Sequence, residues 1–564
     1  MPATRPADRR FDRAASLERL ASQRFDVVVV GGGVTGAGVA LDAASRGLRT
    51  ALVEKSDLAS GTSSKSSKLV HGGIRYLEQR EFRLVYESLH ERQRLLHNAP
   101  HLVELQPFLI PLFGKGGVAS KAVSSQYATA LWLYDITGGW RIGKRHRRVT
   151  KEEAQSHMPT LRTDMLASGF LYYDCRVDDA RLTLSLARTA ALDFGATVAT
   201  YARVSSLHKD SSGRITGVVV DGPGMEEGMV IDTLSVVNAT GVWADEVRSL
   251  DEGDHPGTIR PAKGVHIAVP REKLPCDIAS VIPVRKDRRS IFVIPWAWGE
   301  ETYIGTTDTD YQGPLDDPTC TEDDIAYLID AVNAVVSSQI SRSDVTGSWA
   351  GLRPLLATGK GARSARTADL SRRHAITVSD SGMVTVTGGK LTTYRKMAAD
   401  TVDALLRTLG HRRVPCRTQR MVLHGGRELD ARCAKDWAFS FGVPESLVVH
   451  LMRRYGSETP ALLALCRERP ELADPLVPGT PYIAAEAVFA VRAEMAQTLD
   501  DVLARRTRAL IVQEHATLQA AESVADLIAG ELGWDQAERD RQVKELRSGC
   551  RRPADRPLGG GETW

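Results

Sequence analysis

The chain has 564 residues, room for several domains with sizeable cores, and its 42% hydrophobic and 25% charged content is that of an ordinary soluble globular protein. A net charge of +3 is too small to argue for nucleic acid as a partner. The seven cysteines (Cys175, Cys276, Cys320, Cys416, Cys433, Cys466 and Cys550) never form CxxC, which argues against a metal site and a disulfide framework and fits a reducing compartment.

Met1 to Arg24 lacks the apolar core of a secretory signal, and Asp8, Asp12 and Glu18 argue against an organelle transit peptide. It reads as a mobile arm with a short helix near Ala14–Ala21. Phe25–Val30 reads as a buried strand, Val34–Arg46 as a helix ending at Gly47, and Thr50–Val53 as the next strand, ended by Glu54. Gly31, Gly33 and Gly36 form GxGxxG where the first strand meets the helix. Glycines there permit a tight turn, close approach of a pyrophosphate and close helix–strand packing; Glu54 is placed to hold a ribose diol. This is a dinucleotide-binding βαβ unit, and this stretch alone leaves FAD and NAD both open.

Leu58–Glu78 is rich in Ser, Thr and Gly, then turns to His71, Gly72, Gly73 and Arg75. A solvated linker would explain its first half but not the glycine pair. Helices are expected over Phe82–Ala99, Ser120–Ile136 and Asp178–Phe194, with Leu102–Pro111 extended. Arg141–Arg148, RIGKRHRR, is a basic run that suits a solvated loop or a contact with anionic lipid headgroups. Strands are expected over Thr197–Val204, Ile215–Val220 and Met229–Val237, the last feeding Asn238-Ala239-Thr240-Gly241, where flavoproteins often return to the nucleotide. Val265–Val269, Ile291–Pro295 and Thr302–Asp308 read as strands of an antiparallel sheet, and Glu322–Val336 as a helix. Val384–Val386 leads through Gly388-Gly389-Lys390 into a helix over Leu391–Leu409, whose N-terminus suits the negative charge of a reduced flavin. After Gly410 the pattern is helical: Ser446–Tyr455, Thr459–Arg469, Ala484–Leu503 and Thr517–Leu532. Arg551–Trp564 reads as a disordered tail. No run of 18 apolar residues spans a membrane, and no loop has calcium-site spacing.

Cations stand at glycine-bounded turns: Arg75 in HGGIR, Lys263 beside His266 in KGVH, Arg353 in GLRPL, Arg372 in SRRH and Lys390 in GGK. Arginine matches phosphate oxygens with two prongs, so loops converging with these cations would suit a phosphorylated or carboxylated substrate. Oxidising an alcohol needs a base for the hydroxyl proton, and His71 and His266 are the candidates.

GGGVTGAGVALDAASRG, SSKSSKLVHGGIRYLE, NATGVWAD, KGVH, IGTTD, GLRPL, SRRHAI and GGKLTTYRKMA occur in one order, and together they resemble the FAD-dependent glycerol-3-phosphate dehydrogenase family. The resemblance is dense over Phe25–Leu409 and extends weakly into the helical C-terminus. It implies an α/β FAD-binding fold, Rossmann-like and related to glutathione reductase and D-amino-acid oxidase, with an α+β substrate-capping domain and an all-α C-terminal domain. The expected division is an arm over 1–24 and an oxidoreductase unit over 25–409, followed by helices over 410–550 and a tail over 551–564. FAD segments are expected near 25–95, 165–250 and 350–409, with the cap near 96–164 and 251–349.

It also implies oxidation of sn-glycerol 3-phosphate to dihydroxyacetone phosphate at FAD. Electrons would pass to a membrane quinone, with peripheral contact at the inner face of the cytoplasmic membrane and a possible homodimer. No metal is implied. The expected catalytic residues are His266, His71 and Arg353, with Arg75, Tyr76, Arg353, Arg372 and Lys390 on the substrate. FAD is expected against Gly31, Gly33, Gly36 and Glu54, then Thr62, Ser63, Ser64, Ser67, Lys68, Leu69, His71, Gly72 and Gly73. Further contacts are expected from Ala239, Thr240, Gly241, Thr307, Asp308, Gly389, Lys390, Leu391 and Thr392. The arm before the nucleotide strand and the basic loop Ala357–Asp369, with Lys360, Arg363 and Arg366, depart from the family pattern; calcium loops of the mitochondrial branch have no counterpart. An oxidase handing electrons to oxygen, an amine or amino-acid oxidase, and a non-catalytic flavin-binding scaffold are the rival readings.

Overall fold

The computed structural model describes residues 11–74, 76, 81–114, 120–225, 227–253, 257–284, 289–357, 373–430 and 432–549. Arg75, Arg372, the cations of the 358–372 loop and the expected tail lie outside them.

The dinucleotide unit forms as its sequence directs. Val27–Val30 is fully buried and pairs in parallel with Thr50–Val53 on one side and Val236–Asn238 on the other. Thr197–Ala199 and Val384–Gly388 extend the sheet in parallel, and His374–Val378 closes it antiparallel to the last. Four consecutive valines suit a central parallel strand, because both of its faces are covered. The Val34–Ser45 helix packs against the helices Asp179–Phe194 and Tyr394–Thr408. Gly38 permits the second contact: a Cβ there would stand 2.8 Å from the Tyr394 ring.

A second, larger sheet is mostly antiparallel. Its order runs Thr309–Asp310, Ile259–Pro270, Glu301–Gly305, Ser290–Pro295, Ala279–Pro283, Val103–Phe113, Leu166–Val177 and Leu69–Val70, with Gly347–Leu356 also paired to Ile259–Pro270. Two apolar cores cover its faces, one built with the Glu322–Asn333 helix and the other around Trp296, Tyr303 and Trp349. A three-stranded antiparallel sheet, Arg203–Lys209, Ile215–Asp221 and Met229–Asp232, stands beside the nucleotide unit.

Three expectations around the nucleotide unit need correction. The stretch Thr197–Val204 is two strands in two sheets, split at Tyr201, whose φ is +54°. Met229–Val237 likewise divides at Thr233 and Ser235, both buried and hydrogen-bonded to each other. The arm is packed from Phe11 onward. Arg13–Ser22 is helical, Leu20 is buried, and Arg13 donates to Thr200 O at 2.8 Å.

The C-terminal part is helical, with Glu445–Tyr455, Thr459–Glu468, Ala484–Glu494, Glu514–Leu532 and Gln536–Gly549 around shared cores. The helix expected to run to Leu503 stops at Glu494, where Met495 takes a left-handed conformation (φ +60°), and a π-helical turn follows over Asp501–Arg506. The break carries Arg505, Arg506 and Arg508 back to the nucleotide unit. Arg505 and Arg506 both donate to Asp57 at 2.6 Å, and Arg181 of the Asp179–Phe194 helix donates to Glu494 at 2.6 Å. All of these side chains are at most one-tenth exposed. Removing one partner of such a pair costs about 3–5 kcal/mol, because the other charge stays buried.

Candidate active site

A cavity of about 970 Å³ runs from the glycine-rich turn to the second sheet. Its near end is formed by Gly31, Gly33, Val34, Thr35 and Glu54. Gly31 has φ +108°, and a Cβ there would lie 2.8 Å from Ala239 O. A Cβ on Gly36 would lie 1.8 Å from Gly31 O, so the third glycine is required by packing, and Gly36 itself is off the cavity wall. Gly33 caps the helix with no side-chain bond of its own, so the helix start, apart from the Val34 N–H held by Ser63 Oγ, is available to an anion. The Glu54 carboxylate accepts from Gly32 N at 2.6 Å and Ser56 N at 2.9 Å; burial pushes its pKa up, against those two bonds.

The serine-rich loop forms one wall. Thr62, Ser63, Ser67, Leu69, His71 and Gly73 line the cavity. Thr62 donates to Leu352 O, and Ser63 Oγ accepts from Val34 N at 2.9 Å, tying this wall to the helix start. Ala239, Thr240 and Gly241 line the opposite side; Asn238 Oδ1 accepts from the Thr240 hydroxyl at 2.6 Å and shapes that turn. Expected contacts at Ser64, Lys68 and Gly72 are not on the cavity wall. The Ser64 hydroxyl turns back to Gly61 O, Gly72 N donates to the Tyr134 hydroxyl at 2.9 Å, and Lys68 is buried behind the wall. Lys68 donates to Ser64 O at 3.1 Å and lies 4.6 Å over the Trp349 ring. Burial, with Arg508 nearby, brings its pKa down to about 7, partly offset by Asp179. The resemblance implied cofactor contacts at Ser64, Lys68 and Gly72, but each is held by a partner within the protein behind the wall.

At the far end the structure gathers residues from five segments: His71, Tyr76, His266, Thr306–Asp308, Arg353 and Gly388–Thr392. His266 is buried and stacked on Trp349, centroids 4.9 Å apart, with Nε2 2.9 Å from Ser67 Oγ and Nδ1 without a hydrogen-bond partner among the described residues. Burial, reinforced by Lys68 and Arg353, holds it well below the usual histidine range, so the ring is neutral near pH 7. Gly305 makes room for it, since a Cβ there would fall 2.1 Å from His266 Cδ2. His71 N donates to Thr392 Oγ1 at 3.1 Å, joining the two glycine-flanked loops.

Arg353 donates to Thr306 Oγ1 at 3.0 Å and Thr307 O at 3.2 Å, with Asp308 Oδ1 at 3.4 Å. Thr307 Oγ1 in turn accepts from Val265 N at 3.0 Å. Lys390 places Nζ 3.8 Å from the Tyr76 ring centroid and 3.4 Å from Ser88 Oγ. Gly389, Leu391 and Thr392 complete this end, beside a short helix start at Leu391–Thr393. Lys263 does not join the cluster; it donates to Asp324 at 2.6 Å.

Sequence reading missed several lining residues. Trp243 lies under Lys55, 4.3 Å from Nζ to the ring centroid, and Arg289 donates to Asp308 O at 2.9 Å beside Arg353. Tyr127, Tyr172 and Phe292 add an aromatic wall. Arg289 was one of several cations in a polar run, with no local signal to single it out; Trp243 stands two residues after Gly241 and was within reach.

The glycine cradle, the helix start beside it and a cavity of about 970 Å³ fit FAD. The family model described as FAD dependent oxidoreductase matches residues 26–395, and that described as the C-terminal domain of alpha-glycerophosphate oxidase matches 416–539. The chain is 43% identical to glycerol-3-phosphate dehydrogenase 2 of Mycobacterium bovis over 537 residues, 94% of this chain and 89% of that protein. It is 36% identical to the human mitochondrial glycerol-3-phosphate dehydrogenase, covering 93% and 73% of the two chains. The crystal structure of the Bacillus halodurans glycerol-3-phosphate dehydrogenase complexed with FAD superposes with a TM-score of 0.77 at 32% identity, covering 95% and 96%. With fold, cofactor cradle and sequence in agreement, the chain belongs to the FAD-dependent oxidoreductases and, among them, to the glycerol-3-phosphate dehydrogenase family.

Proposed function

We propose that the protein oxidises sn-glycerol 3-phosphate to dihydroxyacetone phosphate and passes the electrons to a membrane quinone. The observation that carries the reading is the far end of the cavity, where two histidines and at least three cations (Arg289, Arg353 and Lys390) converge on a site continuous with the dinucleotide cradle. FAD, when bound, supplies the hydride acceptor. Gly31, Gly33 and the start of the Val34–Ser45 helix hold its phosphates, and Glu54 its ribose. Arg353 and Lys390 grip the substrate phosphate, joined by Arg75 and Arg372; Tyr76, in contact with Lys390, orients it. His266 receives the hydroxyl proton on a ring nitrogen as the hydride leaves, and the neighbouring cations, by disfavouring the imidazolium, favour onward release of that proton to solvent. His71 ties its loop to the Gly388–Thr392 turn through Thr392 Oγ1.

FAD segments near 25–95, 165–250 and 350–409 and a cap near 96–164 and 251–349 make the functional division, with the strands Leu166–Val177 and Gly347–Leu356 belonging to the larger sheet that spans it. The quinone reading draws support from the surface beside the aromatic wall. Trp132, Leu133 and Ile136 are exposed on the Lys121–Thr137 helix, which also contributes Tyr127 to the cavity, and Arg141, Lys144 and Arg145 follow. Apolar residues beside a basic run suit the interface of an anionic bilayer. No helix among the described residues is long and apolar enough to cross a membrane. The protein would then work at the inner face of the cytoplasmic membrane, as a homodimer, in glycerol catabolism.

Anaerobic mixing of holoenzyme with glycerol 3-phosphate tests the reading. Rapid loss of flavin absorbance, absent with glycerol, is expected; an unbleached flavin would refute the substrate. Reoxidation by a quinone in vesicles, without peroxide, is the second expectation. Peroxide formed stoichiometrically in air would identify an oxidase instead.

A further inference from the structure

The helical C-terminal part reaches the cavity wall at one point. Arg508 is fully buried in a left-handed conformation, φ +74°, which non-glycine residues seldom adopt. Its Nη2 donates to Ser64 O at 2.7 Å and to Asp179 Oδ1 at 2.5 Å. The other Asp179 oxygen accepts from Ser66 N at 3.0 Å and Ser66 Oγ at 2.6 Å. Ser66 O accepts from the Trp349 indole at 3.2 Å, and Ser67 Oγ is bound to His266 Nε2, whose ring stacks on Trp349. Four links in series, Arg508–Asp179, Asp179–Ser66, Ser66–Trp349 and Trp349–His266, therefore join Arg508 to the histidine at the far end of the cavity.

We infer that Arg508, acting through Asp179, is a positioning residue that fixes the Ser64–Ser67 wall and with it the placement of His266. Nη2 makes the bonds to both Ser64 O and Asp179 Oδ1 while Nη1 of the same rigid plane donates to Ala504 O at 3.1 Å, and a lysine has one nitrogen for all three acceptors. The Arg188–Glu458 pair in the same interface lacks this reach: Glu458 bonds Arg188 and His424, and neither residue of the pair is hydrogen-bonded to the Ser64–Ser67 wall. The two kinds of pair separate positioning from simple adhesion between the two parts of the chain. The inference rests on the functional reading of the cavity given above.

The test compares holoenzymes of the parent, Arg508→Lys and Arg188→Gln. Hydrogen–deuterium exchange at the Ser66 amide is read first, because it needs no turnover. The limiting rate of flavin bleaching by glycerol 3-phosphate is then read against pH. Losing one charge-assisted contact corresponds to about a tenfold effect or more. Arg508→Lys should exchange Ser66 about tenfold faster and lower the limiting rate about tenfold, with KM little changed and the pH profile shifted. Arg188→Gln should leave exchange at Ser66, rate and profile at parental values. Unchanged exchange and rate in Arg508→Lys would overturn the inference, as would equal changes in Arg188→Gln. If Arg508→Lys yields no holoenzyme, Ser66→Ala decides: it leaves every ion pair in place, and a parental rate and pH profile there would overturn the inference. A parent that glycerol 3-phosphate fails to bleach refutes the substrate reading instead, and the exchange comparison still stands.

Discussion

Replacing Arg353 by alanine probes the substrate site most directly. Its guanidinium is fixed by three acceptors of one short loop, Thr306 Oγ1, Thr307 O and Asp308 Oδ1, at 3.0, 3.2 and 3.4 Å. The side chain is 22% exposed and faces the cavity. Being held in advance, it loses little conformational entropy when a phosphate arrives, so nearly all of the contact contributes to binding. Loss of one charge-assisted contact is worth about 1.5–3 kcal/mol, which is about 10- to 150-fold in kcat/KM. Arg353→Lys keeps the charge without the fork and should fall between. The assay is stopped-flow bleaching of the flavin by glycerol 3-phosphate, with glycerol at high concentration as the substrate lacking the phosphate. The loss is expected with glycerol 3-phosphate and not with glycerol. Equal losses with both would show that Arg353 supports the Asp308 loop without meeting the phosphate, and an unchanged kcat/KM would refute the assignment altogether.

Gly36→Ala places a methyl group 1.8 Å from Gly31 O and should yield protein without FAD, seen as loss of visible absorbance; retained flavin would mean that the turn has room to relax. Asp57→Asn leaves Arg505 and Arg506 short of a buried partner and should destabilise by about 3–5 kcal/mol, lowering the thermal midpoint; an unchanged midpoint would contradict the account of that interface. His101 is buried, and burial brings its pKa down to about 3, with Arg181 and His424 adding to the shift. The unfolded chain binds its proton near pH 6.5 and the folded chain does not, so the neutral ring's contribution to stability is full above that pH and is lost progressively from about 6.5 towards 3. Denaturation midpoints measured across that range should fall less steeply in His101→Gln than in the parent; parallel curves would refute this assignment.

What the sequence determined is what depends on neighbours along the chain. A run of valines, a glycine turn, a helix and a second strand specify a βαβ unit locally, because each contact spans few residues. The cradle at Gly31, Gly33 and Glu54 was legible for that reason, as were Arg353, Lys390 and His266 beside their glycines. Tertiary structure decided the rest. The Leu166–Val177 strand has no alternation to betray it, since it is covered on both faces by elements distant in sequence. Whether Lys68 faces a cofactor or a buried carboxylate depends on Asp179 and Arg508, which stand 111 and 440 residues further along the chain. The end of the Ala484–Glu494 helix is set by where its arginines must go, because a buried guanidinium needs its carboxylate at contact distance, and no local propensity records where Asp57 lies. Local periodicity fixes elements; the pairing of buried charges and the convergence of loops on one cavity are properties of the folded chain alone.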